Sequence, residues 1–226
     1  MTAGGAAAGR PRRRWQDLAA AAAAEPERTD REFADLDESV RHRHLRITGS
    51  ADGPVLDDLE IDTSVLEKVR LVGGQLPKLS LTDVELTGCD WSGVDLGDAR
   101  WERTTARGSR FAGCAAPGAA WNDVTFDDCV LPGLSLRFAT LRSAGFTDCD
   151  LARLDLTSAT VHGATFTRCS LVGATFGGAT VRRVRFVDCD LGAVSGIGSL
   201  AGARVDHASL ATMAASLAAA AGIVID

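Results

Sequence analysis

Residues 144–166 read AGFTDCDLARLDLTSATVHGATF. Phe146, Leu151, Leu156, Val161 and Phe166 stand five apart, and small residues such as Ala144, Cys149, Ala159 and Ala164 stand two positions before them. Helical faces recur at about 3.6 residues and strand faces at about 2, so a period of five belongs to neither. The count extends without a slip in both directions. From Ile61 to Leu191, 25 of 27 fifth positions are large and apolar, and only Ala106 and Ala116 are small. The slot two residues earlier holds Val69, Val84, Val94, Ala99, Ala119, Val124, Ala139 and their like. Each unit therefore turns two side chains inward and three outward. The outward three are rich in Gly, Ser, Thr, Asp and Arg, which suit turns and solvent. If each unit is one wall of a coil, the chain turns a corner every five residues.

A longer period sets the number of walls. Cys89, Cys129, Cys149, Cys169 and Cys189 are spaced by multiples of twenty, with Ser109 in the one gap, and Phe126, Phe146, Phe166 and Phe186 repeat the same spacing. Like residues recurring every four units mean four walls per turn, with identical side chains stacked from coil to coil. Self-similarity at a fixed period is the mark of a solenoid, whose units bury their faces only against neighbours.

Units such as Cys149-Asp150-Leu151, Leu154-Asp155-Leu156, Ala164-Thr165-Phe166 and Cys189-Asp190-Leu191 resemble the Ala-(Asp/Asn)-Leu-x-x consensus of the pentapeptide-repeat proteins. The resemblance implies an all-β solenoid, a right-handed quadrilateral β-helix filled by side chains. It spans residues 56–195, between an N-terminal arm and cap (1–55) and a C-terminal cap (196–226) with a helix over about 207–221. At about 4.8 Å of rise per coil, 27 units give 6.75 coils and a rod on the order of 32 Å. Trp91, Trp101 and Trp121 are bulky for the central slot. Trp101 and Trp121 are expected to stack on one side, while Ala106 and Ala116 give up volume in the same coil.

The ends depart from the repeat. Residues 1–9 read as disordered, Trp15 to Ala24 holds good helix formers, Glu32 to Val40 suits a short helix or an extended arm, and Arg41 to Thr48 alternates as a strand containing His42 and His44. Bare solenoid ends expose unpaired backbone, so capping is expected here. The alternative is that Arg10, Arg12, Arg13 and Arg14 touch nucleic acid or an acidic partner. That cluster and the alanines after Leu18 superficially mimic a secretory signal, but Asp17 interrupts them, and the chain reads as cytoplasmic. No segment approaches the roughly 20 apolar residues of a membrane span. At the other end, Asp206 and Gly222 suit an N-cap and a C-terminal stop, and no charged residue lies between His207 and Ile225. Leu210, Met213 and Leu217 mark one face of this helix as a candidate dimer contact. The junction is similar to the ends of actinobacterial family members, including a fluoroquinolone-resistance protein that dimerises through its C-terminal region, which implies a possible homodimer.

Catalytic signals are missing from the sequence. It shows no Ser-His-Asp or Cys-His arrangement, phosphate-cradling loop or metal signature, so neither an enzyme nor a cofactor is expected. The six cysteines read as free thiols in a stacked core ladder. Binding through a long surface remains. Some members of the resembled family imitate duplex DNA and occupy DNA gyrase, which implies a type II topoisomerase as one partner and protection against topoisomerase-targeting antibiotics as one role. Such mimicry calls for a strongly negative rod, whereas residues 61–195 carry 16 acidic and 14 basic residues. Asp83, Glu85, Asp90, Asp95 and Asp98, the only charged residues between Lys78 and Arg100, are the candidate partner surface. The alternative is a scaffold for a different protein. Direct nucleic-acid binding is disfavoured by a net charge of −6 and by the lack of interleaved basic and aromatic residues.

Overall fold

The computed structural model describes residues 28–38 and 40–224. The Arg10–Arg14 cluster, the expected Trp15–Ala24 helix and the Gly/Ala-rich start lie outside the described residues. Each five-residue unit forms one wall of a coil, and the coils stack into a parallel quadrilateral β-helix of about 9 turns. On two adjacent sides the walls are three-residue strands, such as Arg100–Glu102 and Thr105–Arg107. These pair in parallel into sheets of eight and ten strands. On the other two sides most neighbouring coils meet through single bridges, as in Asp90↔Arg110 and Asp95↔Ala115. The four sides are named below by one inward residue each: Leu141, Phe146, Leu151 and Leu136.

Backbone pairing explains the twenty-residue period. The Leu151 amide donates up to the Ser170 carbonyl at 2.7 Å, while the Asp150 amide donates down to the Cys129 carbonyl at 3.0 Å. Buried backbone groups must be paired. Each wall therefore sits in register with the wall twenty residues on, which places Phe146 between Phe126 and Phe166. Those rings stack at centroid distances of 5.1 and 4.9 Å, and Trp101 stacks on Trp121 at 5.1 Å. Small Ala106 lies in the column between Leu86 and Phe126, in the coil where Trp101 also contacts Phe126. The indole nitrogens of Trp91, Trp101 and Trp121 find no acceptor within the protein, so this bulky belt is held by packing rather than hydrogen bonding.

Corners come from the residue two after each central position. It adopts the left-handed conformation throughout the repeat, as at Asp128 (φ 52°), Asp148 (φ 54°), Gly113 (φ 65°) and Gly133 (φ 69°). That conformation costs a non-glycine residue about 1–2 kcal/mol. On the Leu151 and Leu136 sides, aspartates before the central residue brace the turn. Asp90, Asp95, Asp150, Asp155 and Asp190 each accept a hydrogen bond from the amide two residues on, at 2.9–3.1 Å. The aspartate of the repeat consensus is therefore a turn-former at these five positions.

Parallel pairing continues beyond the unbroken five-residue count. The coil step is 19 residues at Arg46↔Val65 and His42↔Ile61, 16 at Thr29↔Leu45, and 19 again at Arg185↔Arg204. These slips hide the outer coils from a count in fives, which is why the rod has more than 6.75 turns. The Glu32–Val40 region contains a short 3-10 turn at Phe33–Asp35, and Phe33 and Leu36 plug the first coil. The expected strand over Arg41–Thr48 is split at His44, which has φ 53°. At the far end Gly196 has φ 72°, and a Cβ there would lie 2.4 Å from the Gly177 nitrogen, so this close approach requires glycine. The C-terminal helix is two short pieces, α1 (His207–Thr212) and α2 (Ala214–Ala220), broken at Met213.

Phe146→Ala removes a ring from the middle of a rigid stack whose backbone cannot collapse without losing register. A loss of about 3–5 kcal/mol is expected in denaturant unfolding. A loss below about 1 kcal/mol would show that the column relaxes instead of leaving a cavity.

Candidate interaction surface

The interior offers no chemistry to a ligand. Every central residue from Ile61 to Leu191 is buried, and most are 0–3% exposed. All six cysteines are buried and free. Burial pushes the Cys89 thiol up to about 11 and the Cys114 thiol up to about 12, which disfavours the thiolate needed for nucleophilic attack or metal binding. Their hydrogens go to backbone carbonyls, as from Cys114 Sγ to the Trp91 oxygen at 2.7 Å. Among the described residues no group of three or more His, Cys, Asp or Glu side chains is placed to hold a metal ion. A shallow open depression lies over Gly145, where the outward column of Thr105 and Thr125 loses its side chain.

What faces outward is a regular array on a twenty-residue pitch, and its charges pair between coils. Arg103 grips both carboxylate oxygens of Asp83 at 2.6 and 2.8 Å, and Arg168 grips Asp148 at 2.7 and 2.6 Å. Arg107 reaches Glu85 at 2.8 Å, Arg137 reaches Asp155 at 3.2 Å, and Lys78 reaches Asp57 at 3.1 Å. The guanidinium of Arg168 holds the Asp148 carboxyl below the usual carboxylate range. Partial burial of Asp155 opposes the same effect, but hydrogen bonds from Thr157 and Arg137 hold that carboxyl low as well. Exposed pairs of this kind contribute about 0–1 kcal/mol each to stability. Their larger effect is to cancel the surface field locally.

The family model described as a pentapeptide repeat region matches residues 119–195. Residues 119–195 are therefore a pentapeptide-repeat region. No curated protein matches the sequence. Among solved structures, one trypsin-treated form of QnrB1, titled a plasmid-mediated fluoroquinolone resistance protein, is 15% identical, with 79% of this chain and 100% of that chain covered and a TM-score of 0.43. A second trypsin-treated form is 19% identical over 88% and 98%, with a TM-score of 0.44. HetL from the cyanobacterium Nostoc sp. strain PCC 7120 is 15% identical over 85% and 97%, with a TM-score of 0.25.

The five candidate acids do not share a face. Asp83 lies at the corner after the Leu141 side, Glu85 on the Phe146 side, Asp90 on the Leu151 side, and Asp95 and Asp98 on the Leu136 side. Neighbours in sequence are spread around the coil because five residues make a quarter turn. Asp83 and Glu85 are tied to Arg103 and Arg107, while Asp90 and Asp95 brace turns. Only Asp95 and Asp98 stand together. The three candidate dimer residues also divide. Met213 is buried, Leu217 packs against the end of the core, and Leu210 is 46% exposed. The uncharged helices thus close the last coil, because α1 and α2 bend at Met213 and turn it inward. Phe138, not singled out by the sequence, stands in the left-handed corner slot and is 62% exposed. A phenylalanine in a slot otherwise filled by residues such as Gly, Asp, Ser, Arg and Lys was the available signal.

The C-terminal cap is anchored electrostatically. The Asp206 carboxylate accepts from the Ser209 amide at 2.8 Å and from the Asp188 amide at 2.8 Å. Hydrogen bonds from Ser209 and the Asp188 amide push its pKa from 3.8 down to about 2. A depressed folded-state pKa contributes stability that is present above the unfolded value and lost as pH falls through the folded one. Asp206→Asn is therefore expected to melt at a lower temperature than the wild type at neutral pH, with the gap closing between about pH 4 and about pH 2. A gap that does not change with pH would remove the charge from this account.

Proposed function

We propose that this pentapeptide-repeat protein is a non-enzymatic binding rod whose ligand is another protein, and that it acts as a scaffold through its outward residues. The observation that carries this reading is the division of labour within each unit. Two residues of every five are spent on a closed interior, while three are presented on a rigid lattice. Rigid, pre-ordered surfaces bind with little loss of conformational entropy, which favours recognition by surface over chemistry in a pocket. Among the described residues no helix is long and apolar enough to cross a membrane.

The finer reading, a type II topoisomerase such as DNA gyrase as the partner, comes from the family resemblance. The surface charge weighs against its duplex-mimicking form. A DNA-like rod needs an unbroken negative field, whereas Asp83, Glu85, Asp148 and Asp155 are each matched by an arginine. The purified protein is expected to leave gyrase supercoiling unchanged at micromolar concentration, with and without ciprofloxacin. Inhibition of supercoiling, or protection against the drug, would replace the scaffold reading with the topoisomerase one.

A further inference from the structure

The Leu136 side carries an arrangement found nowhere else among the described residues. Its corner column runs Asp58, Lys78, Asp98, Gly118, Phe138, Ser158, Gly178, all with φ between 56° and 69°. A bulky aromatic side chain is an outlier in this conformation, and Phe138 is 62% exposed. Every other phenylalanine, and each tryptophan from Trp91 onward, is buried in the core. Gly118 and Ser158 occupy the same slot in the adjoining coils, and the Arg137 guanidinium lies over the Phe138 ring, 5.6 Å from its centroid. Neither the backbone nor the solvent rewards phenylalanine here. Residues held against local rules of this kind gather at binding sites, where a contact outside the chain offsets the strain.

The surroundings indicate what that contact is. Coils 111–120 and 131–140 present Ala115, Pro117, Gly118 and Ser135 on this side, an uncharged apron beside the Phe138 ring. The next coil down adds exposed Asp95 and Asp98. The coil above adds Asp155, which is already paired with Arg137. An exposed aromatic and an arginine at the centre, with the acidic residues at the border, is the make-up of an interface hot spot.

We infer that Phe138, supported by Arg137, is the anchor of a docking surface on the Leu136 side for a folded protein that offers an apolar pocket bordered by basic side chains. The phenyl ring enters the pocket, the flat apron excludes water around it, and Asp95 and Asp98 meet the basic border. This rests on the proposal that the rod binds a protein, and it adds the side, the anchor and the charge of the partner.

The test uses the full chain expressed in its host with photoreactive p-benzoylphenylalanine at position 138. A second chain carries the same group at Val72, which is 48% exposed on the Leu151 side. The protein crosslinked at 138 is purified and titrated against wild type, Phe138→Gly and Asp98→Lys. The last change copies Lys78 of the same column, so its backbone is already tolerated. Crosslinking at 138 and not at 72 is expected, with about 30-fold weaker binding for Phe138→Gly. Asp98→Lys should weaken binding most at low salt, and Phe138→Gly should melt no lower than wild type. Unchanged affinity of Phe138→Gly, or a fall in its melting temperature, would overturn the proposal by showing no binding role or a structural one. A crosslink to a second copy of this chain would overturn it in favour of self-association. Crosslinking at 72 alone would overturn it while leaving the protein-binding reading intact, and crosslinking at neither position would count against both.

Discussion

One constraint governs the molecule: backbone amides in each wall of the repeat must find carbonyls in the coils above and below. Leu131 donates to Asp150, Leu151 to Ser170 and Leu171 to Asp190, each at 2.7 Å. Such a ladder tolerates no free insertion within the repeat, because one extra residue would move the following side chains off their columns. Identical residues therefore stack, as in the Phe126–Phe146–Phe166–Phe186 series. The corners must be tight, so left-handed backbone recurs every five residues. The interior must be filled, because a packed apolar core provides the main favourable term that offsets the ordering of the chain. What is left free is the outward set, and there the protein can vary its surface without disturbing its fold.

Much of this was legible in the sequence because its cause is periodic. The five-residue count locates the walls, and the recurrence of Cys129, Cys149, Cys169 and Cys189 locates the coils. The outer coils were not legible for the same reason. Ile47 is 0% exposed and Phe33 is 1% exposed, so both belong to the core, yet steps of 19 and 16 residues take them out of the count. The structural basis of the aspartate preference was also hidden. Asp150 and Asp155 look like surface charge in sequence and act as acceptors that shape a turn.

The candidate surface was harder to read because proximity along this chain is not proximity on the rod. Asp83 to Asp98 look like a cluster in sequence and become a belt in space. Conversely, Asp83 and Arg103 are twenty residues apart and form a two-pronged ion pair. Surface charge on a solenoid has to be read in columns of twenty. In those columns several acids are matched by arginines, as at Asp83, Glu85, Asp148 and Asp155, and the feature that departs from the pattern is an exposed phenylalanine on strained backbone.

The central claim, an unbroken ladder from the first coil to the cap, is tested most directly by native-state amide hydrogen exchange. The account predicts continuous slow exchange at the central amides from Leu66 to Leu191, including those of Trp91, Trp101 and Trp121, whose indole nitrogens lack partners. Fast exchange confined to the 91–121 coils would contradict it, because the rod would then be two stacks joined by a loosely packed tryptophan belt.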